Sequence, residues 1–317
     1  MSLSLEPAAV WLVAAVVAVL VIATAVGRVL RWRCRDASAI ETIDNLNARI
    51  YSWWVMVAVL ALAVLSGRAG SAIFFAIVSF LALREFMSLV PTRPGDHRAL
   101  LAIFLVITPL QYLLVAAGWY GLYSILIPVY AFLYLPARTA LRGDAEHFLE
   151  RTADLQWGLM VCVYCVSYAP ALLTLRIPGF RAAGGGLLLF LLVVTEASDV
   201  LQYVWGKLFG HRRIAPTISP NKTWGGFLGG IVSATAVGAG LWWLTPFRPW
   251  QAAAMALVIT LMGFAGGLTM SAIKRDRGVK DFGSLIAGHG GVLDRIDSLC
   301  FAAPVFFHLT RYFFARG

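Results

Sequence analysis

Apolar runs recur along almost the whole chain, and they narrow its folds to those that live in a bilayer. A helix needs about 20 apolar residues to cross the hydrocarbon core. Runs of this kind cover 8–30, 53–65, 72–90, 99–117, 119–135, 157–175, 187–205, 227–244, 251–272 and 299–314. The expected fold is therefore all-α: a polytopic integral membrane protein of about ten transmembrane helices. Only 13% of the 317 residues are charged and 60% are apolar, with a mean hydropathy of +0.79. Soluble domains run nearer a quarter charged, so a water-soluble two-domain enzyme is excluded. No repeat of solenoid period and no low-complexity segment is evident.

The charges orient the spans. Of 26 lysines and arginines, all but Arg68, Arg176, Arg181, Arg248, Arg311 and Arg316 fall in the loops after the odd-numbered runs. The positive-inside rule places those loops in the cytoplasm and both termini outside. The first run is preceded by Glu6 and by no basic residue, and the cluster Arg28, Arg31, Arg33, Arg35 follows it. It reads as a retained span, not a signal peptide. Trp53, Trp54, Trp119, Trp157, Trp242, Trp243 and Trp250 stand near span ends, as an aromatic belt requires. The net charge of +10 suits anionic lipid headgroups better than nucleic acid, because the cations cluster beside apolar spans. Cys162 and Cys165 form a C-x-x-C inside an apolar run, where buried cysteines pack. The segment 137–156 reads as a solvated interfacial helix pairing Arg142 with Glu146, with His147 on its surface.

One stretch breaks the apolar pattern. Residues 271–298, SAIKRDRGVKDFGSLIAGHGGVLDRIDS, pack Lys274, Arg275, Arg277, Lys280 and Arg295 among Asp276, Asp281, Asp294 and Asp297. A solvated positive-inside loop explains the cations but not four aspartates. A polyphosphate site explains both: cations for oxygens, carboxylates for a divalent metal, and glycines for close backbone approach. The arrangement Ser271, Lys274-Arg275, Lys280-Asp281, His289-Gly290-Gly291, Asp294-Arg295, Asp297 resembles the signature of the phosphatidate cytidylyltransferases, the CDP-diacylglycerol synthases.

A second block, Ile218-Ser219-Pro220-Asn221-Lys222-Thr223-Trp224, resembles that family's Ser-Pro-x-Lys-Thr-Trp run. It reads as a Ser-Pro-Asn turn opening into a helix, whose N-terminus is a ready anion site for phosphate held by Ser219, Lys222 and Thr223. Gly225, Gly226, Gly229 and Gly230 follow at spacings that favour close helix packing. Two positions depart from the family pattern: Gly225 where Glu is usual, and Gln202 where a small residue precedes Tyr203. Glu196 and Asp199 share a helical face in the seventh run. Unpaired carboxylates there cost at least ~2.5–3.5 kcal/mol each. They are either a structural pair for an arginine or a cation site, and the resemblance favours Asp199.

The resemblance covers roughly residues 195–298 and implies a division into scaffold spans, 1–183, and a catalytic region, 184–317. It implies transfer of the CMP moiety of CTP to phosphatidate at the cytoplasmic face of the inner (plasma) membrane, giving CDP-diacylglycerol and pyrophosphate. Magnesium is expected as cofactor, with Asp199, Asp281 and Asp294 as ligands. Lys274, Arg275, Lys280 and Arg295 would neutralise phosphates. Backbone N–H groups at Gly290 and Gly291 would reach a phosphate. Asp297 would hold metal or orient a cation, and His289 would touch a phosphate or the leaving group. A homodimer is left open. The alternatives are a CTP-dependent lipid or polyprenol kinase, a cytidylyltransferase with another lipid phosphate, and an ion-coupled transporter with its cation at Glu196 and Asp199.

Overall fold

The computed structural model describes residues 7–34, 37–180, 185–285 and 290–315. Among the described residues the chain forms ten long helices. They are α1 (Pro7–Arg33), α2 (Ala37–Leu65), α3 (Gly67–Met87), α4 (His97–Ala117) and α5 (Tyr120–Ala140). The rest are α6 (Phe148–Thr174), α7 (Gly185–Phe209), α8 (Trp224–Gly240), α9 (Pro249–Asp276) and α10 (Leu293–Phe314). Among the described residues, seven segments are long and apolar enough to cross a membrane: Leu46–Leu65 of α2, and α3, α4, α5, α6, α7 and α9. The other expected spans include α8, which is 17 residues long, and α10, whose first two turns carry Asp294, Arg295 and Asp297.

Among the described residues the protein is all-α apart from one hairpin between α7 and α8. There β1 (Arg213–Ala215) pairs antiparallel with β2 (Ser219–Thr223). The expected Ser-Pro-Asn turn is thus a strand, a correction to the reading of 219–221. Pro220 is tolerated because a two-stranded ribbon has only edges.

Prolines explain local widening of two spans. Wide π turns occupy Ile103–Ile107, just before Pro109, and Leu126–Ala131, around Pro128. Proline removes an N–H and pushes on the preceding turn. The Thr108 hydroxyl donates to the Ile103 carbonyl at 2.8 Å, which also accepts the Thr108 N–H.

Helix α6 runs through the centre, against α3 on one side and α10 on the other. Tyr123, Tyr168, Phe190, Phe306 and Phe307 are fully buried, and Phe190 stacks on Phe306 at 5.8 Å. The C-terminal helices pack in sequence, α7 on α8, α8 on α9, α9 on α10. Cys162 and Cys300 are fully buried thiols, as packing predicts.

Four polar connections meet at one end of the bundle. The end of α3 contacts the start of α10, with Val292 N–H donating to Glu85 at 3.0 Å. Arg277, after α9, grips Asp154 near the start of α6 through both carboxylate oxygens, at 2.7 and 2.9 Å. Arg275 donates to the hairpin carbonyl of Ile218 at 3.3 Å. The segment 137–156 differs from the expected solvated helix. Helix α6 begins only at Phe148, and Arg151 is buried against Asp96 and Asp144, each at 3.1 Å. Glu146 pairs with Arg93 from the loop after α3.

Candidate active site

The site is built where the end of α9 meets the start of α10. Glycines on α9 let the two backbones approach: a Cβ on Gly266 would lie 2.6 Å from the Asp297 carbonyl. At the next residue, a Cβ on Gly267 would lie 2.9 Å from the Lys222 ammonium and 3.8 Å from Asp297 Oδ2. Gly267 therefore holds open the space in which Lys222 of β2 faces Asp297 of α10. The Lys222 ammonium also sits over the Phe264 ring, 4.7 Å from its centroid.

Asp294 and Asp297, three residues apart, have opposite surroundings. Asp294 is buried and accepts from three donors. Its Oδ1 accepts from Lys274 Nζ at 2.8 Å, and its Oδ2 accepts from the N–H groups of Phe282 and Gly291 at 2.9 and 3.0 Å. Three of the roughly four acceptor positions of this carboxylate are filled within the protein, one of them by the Gly291 N–H. Lys274 is correspondingly a partner of Asp294, and Arg275 binds the Ile218 and Val279 carbonyls.

Asp297 is only half-buried and binds one local donor, the Ser298 N–H at 2.7 Å. Lys274, Lys222 and Arg295 surround it. Across the cleft, Asp199 of α7 is exposed and faces Asp297, Ser298, Lys222 and Arg295. Glu196, one turn away on α7, faces Asp199, Arg295 and Asp297. The structure thus brings the carboxylates of α7 into one cluster with the polar stretch. Burial pushes the Lys222 amine below its ordinary 10.5, while Asp297 and Asp199 pull it back up.

Asp281 and Lys280 are exposed, and Asp281 Cβ lies 3.6 Å from where a Cβ on Gly290 would stand. Gly290 has a φ of 82°, which favours glycine. His289 lies outside the described residues.

At the hairpin, Thr223 is the N-cap of α8: its hydroxyl accepts from the Gly226 N–H at 3.2 Å. Ser219 stands half-buried at the far end of the same strand. The glycines of α8 are packing residues, as expected. Cβ atoms on Gly229 and Gly230 would lie 2.5 Å from the Trp205 ring and 2.3 Å from Gln202 Cγ. Gln202 fills the groove those glycines leave and donates to Ser198 at 2.8 Å. At Gly225 a Cβ would lie 2.4 Å from the Phe209 carbonyl oxygen, so the glutamate usual there has no room in this protein.

Among the described residues no three His, Cys, Asp or Glu side chains converge on one point. Magnesium needs no such group, since it takes one or two protein carboxylates and completes its shell with water and substrate phosphates. The accessible pair Asp199 and Asp297 fits that demand.

A profile of the Cytidylyltransferase family matches residues 47–313. This chain belongs to the cytidylyltransferase family. Among its relatives, the uncharacterized protein YnbB of Escherichia coli (strain K12) is 40% identical over 299 residues, covering 93% of this chain and 96% of that protein. The phosphatidate cytidylyltransferase of Mycobacterium leprae (strain TN) is 42% identical over 170 residues, 53% of each chain. That of Staphylococcus saprophyticus is 27% identical over 239 residues, covering 74% of this chain and 86% of the relative. The family match reaches well beyond the polar stretch, into α2 and α3, and so includes Glu85. Glu85 and Asp154, both in the N-terminal spans, touch the polar stretch and were missed in the sequence. A signal was present for Glu85: a carboxylate in the last turn of α3 opposes the helix dipole and needs a partner elsewhere.

Proposed function

We propose that this member of the cytidylyltransferase family transfers CMP from CTP to phosphatidate, giving CDP-diacylglycerol and pyrophosphate at the cytoplasmic face of the membrane. The observation that carries the reading is the meeting of Asp199, Asp297, Lys222 and Arg295 in one accessible cluster at the polar end of the bundle. Two open carboxylates beside cations suit a metal-bound triphosphate. The relatives named phosphatidate cytidylyltransferase support the choice of acceptor.

In this reading a phosphatidate phosphate oxygen attacks the α-phosphorus of CTP. A new P–O bond forms there, the bond to the β-phosphate oxygen breaks, and pyrophosphate leaves with the electron pair. The lipid phosphate is largely ionised at neutral pH, its second pKa being about 6 by analogy with phosphorylated side chains. No protein base is required. Catalysis then consists of positioning and charge neutralisation. Asp199 and Asp297, with Asp281 and Asp294 beside Gly290, are the carboxylates that would hold magnesium. Magnesium, when bound, supplies neutralisation of the triphosphate oxygens. Lys222, Arg295 and Lys280 hold phosphate oxygens. Lys274 and Asp294 keep the start of α10 in place.

Purified protein given phosphatidate, magnesium and CTP labelled on the α- or the γ-phosphate tests this. The α-label is expected in lipid and the γ-label in pyrophosphate. Entry of γ-label alone would make the protein a kinase. Entry of neither, with a panel of lipid phosphates and alcohols, would favour the transporter.

A further inference from the structure

We infer that Glu85 is a positioning residue for the reaction: from the end of α3 it sets the first turn of α10, and with it Asp294, Arg295 and Asp297. The inference rests on the proposed CMP transfer. The first N–H groups of a helix have no partner within the helix, and the N-cap of α10 is Val292, which has no side-chain oxygen to supply one. Glu85 supplies both. Its Oε1 accepts from the Val292 N–H at 3.0 Å and its Oε2 from the Leu293 N–H at 2.9 Å.

With Gly291 N–H bound by Asp294, three successive N–H groups are held by two carboxylates. The negative charge lies at the positive end of the helix dipole. The backbone is shaped around this side chain. A Cβ on Gly283 would lie 2.6 Å from Glu85 Oε1, and one on Gly291 would lie 2.4 Å from Oε2. The neighbouring Phe86 stacks on Phe282 at 6.4 Å, so α3 holds both flanks of the loop.

Two consequences follow for the chemistry. The anion site at this helix N-terminus is filled from within the protein, so the triphosphate is left to side-chain cations. And the register of the α10 aspartates depends on a span outside the catalytic region expected at 184–317.

The test combines hydrogen exchange with kinetics on the full-length protein in micelles. In Glu85→Gln, a single oxygen remains to accept, and the Val292 and Leu293 amides should exchange faster than in wild type. Turnover should fall about 10–100-fold, the range for residues that orient metal ligands. The KM for lipid should stay near wild type, while the magnesium needed for half-maximal rate rises. Glu85→Asp, which keeps the charge but loses reach, should lie between. If Glu85→Gln does not fold, Gly283→Ala, which forces a methyl against the carboxylate, should give the same pattern. Unchanged exchange at Val292 and Leu293, or wild-type turnover in both Glu85→Gln and Gly283→Ala, overturns the inference. Wild-type protein that transfers no CMP overturns the proposed function instead, and the exchange rates still decide whether Glu85 holds the helix.

Discussion

Three residues separate Asp294 from Asp297, yet the two should respond differently to the same substitution. Asp294 neutralises a Lys274 side chain that is only 11% exposed. Asp294→Asn would strand that ammonium, a change that costs about 3–5 kcal/mol for a buried pair. Asp297→Asn removes charge from the open cluster and should leave stability near wild type while turnover collapses and its magnesium dependence weakens. Thermal unfolding in micelles alongside turnover separates the two; an Asp294→Asn protein as heat-stable as wild type would contradict the assignment. Lys222 offers a second test. Its amine is held below 10.5 by burial, so it loses its proton at a lower pH than a free lysine. The alkaline limb of kcat/KM should therefore fall below that value, and Lys222→Arg, charged throughout, should move the limb upward. An alkaline limb identical in both proteins would remove Lys222 from phosphate binding.

Among the elements, α7 and α8 form the tightest joint, because the small residues of α8 admit Trp205 and Gln202 of α7. Gly225→Glu, which restores the usual family residue, should for that reason harm this chain. Its Cβ would meet the Phe209 carbonyl at 2.4 Å, and overpacking costs about 1–3 kcal/mol. A lower thermal midpoint is expected, and unaltered stability would show that the α7 end shifts freely. The Arg277–Asp154 pair ties the end of α9 to the start of α6, with both side chains about four-fifths buried. Together with Glu85 it makes the N-terminal spans part of the site's support.

For the whole molecule, the gathering of polar connections at one end is what gives an orientation its meaning. Arg248 and Lys280 flank α9 (Pro249–Asp276), which is long enough to separate them by about 40 Å at 1.5 Å per residue. By the positive-inside rule, the charge asymmetry of the loops predicts Lys280 in the cytoplasm and Arg248 outside. Single cysteines at these positions, in a background lacking Cys34, Cys162, Cys165 and Cys300, should react with an impermeant reagent from opposite faces. Labelling of position 280 from outside intact cells would reverse the orientation and cut the site off from CTP.

Membrane class and family were legible in the sequence, because each is carried by a contiguous pattern. Hydropathy needs only a window of about 20 residues, and the polar stretch 271–298 holds most of the charged groups in unbroken order. Close packing by the α8 glycines was legible for the same reason, since small residues at helical spacing lie on adjoining faces. Which aspartate is open was not. Asp294 is closed by Lys274 from another helix and by two loop N–H groups, while Asp297 faces a cleft shared with α7 and β2. The strand at 219–223 was hidden because its partner, Arg213–Ala215, lies across a turn that local preference does not specify. Glu85 and Asp154 sit far from the polar stretch in the chain, and only the packing of α3 and α6 against α9 and α10 brings them to it. Composition and spacing decide which groups are present; long-range contacts decide which are already taken and which are left for a substrate.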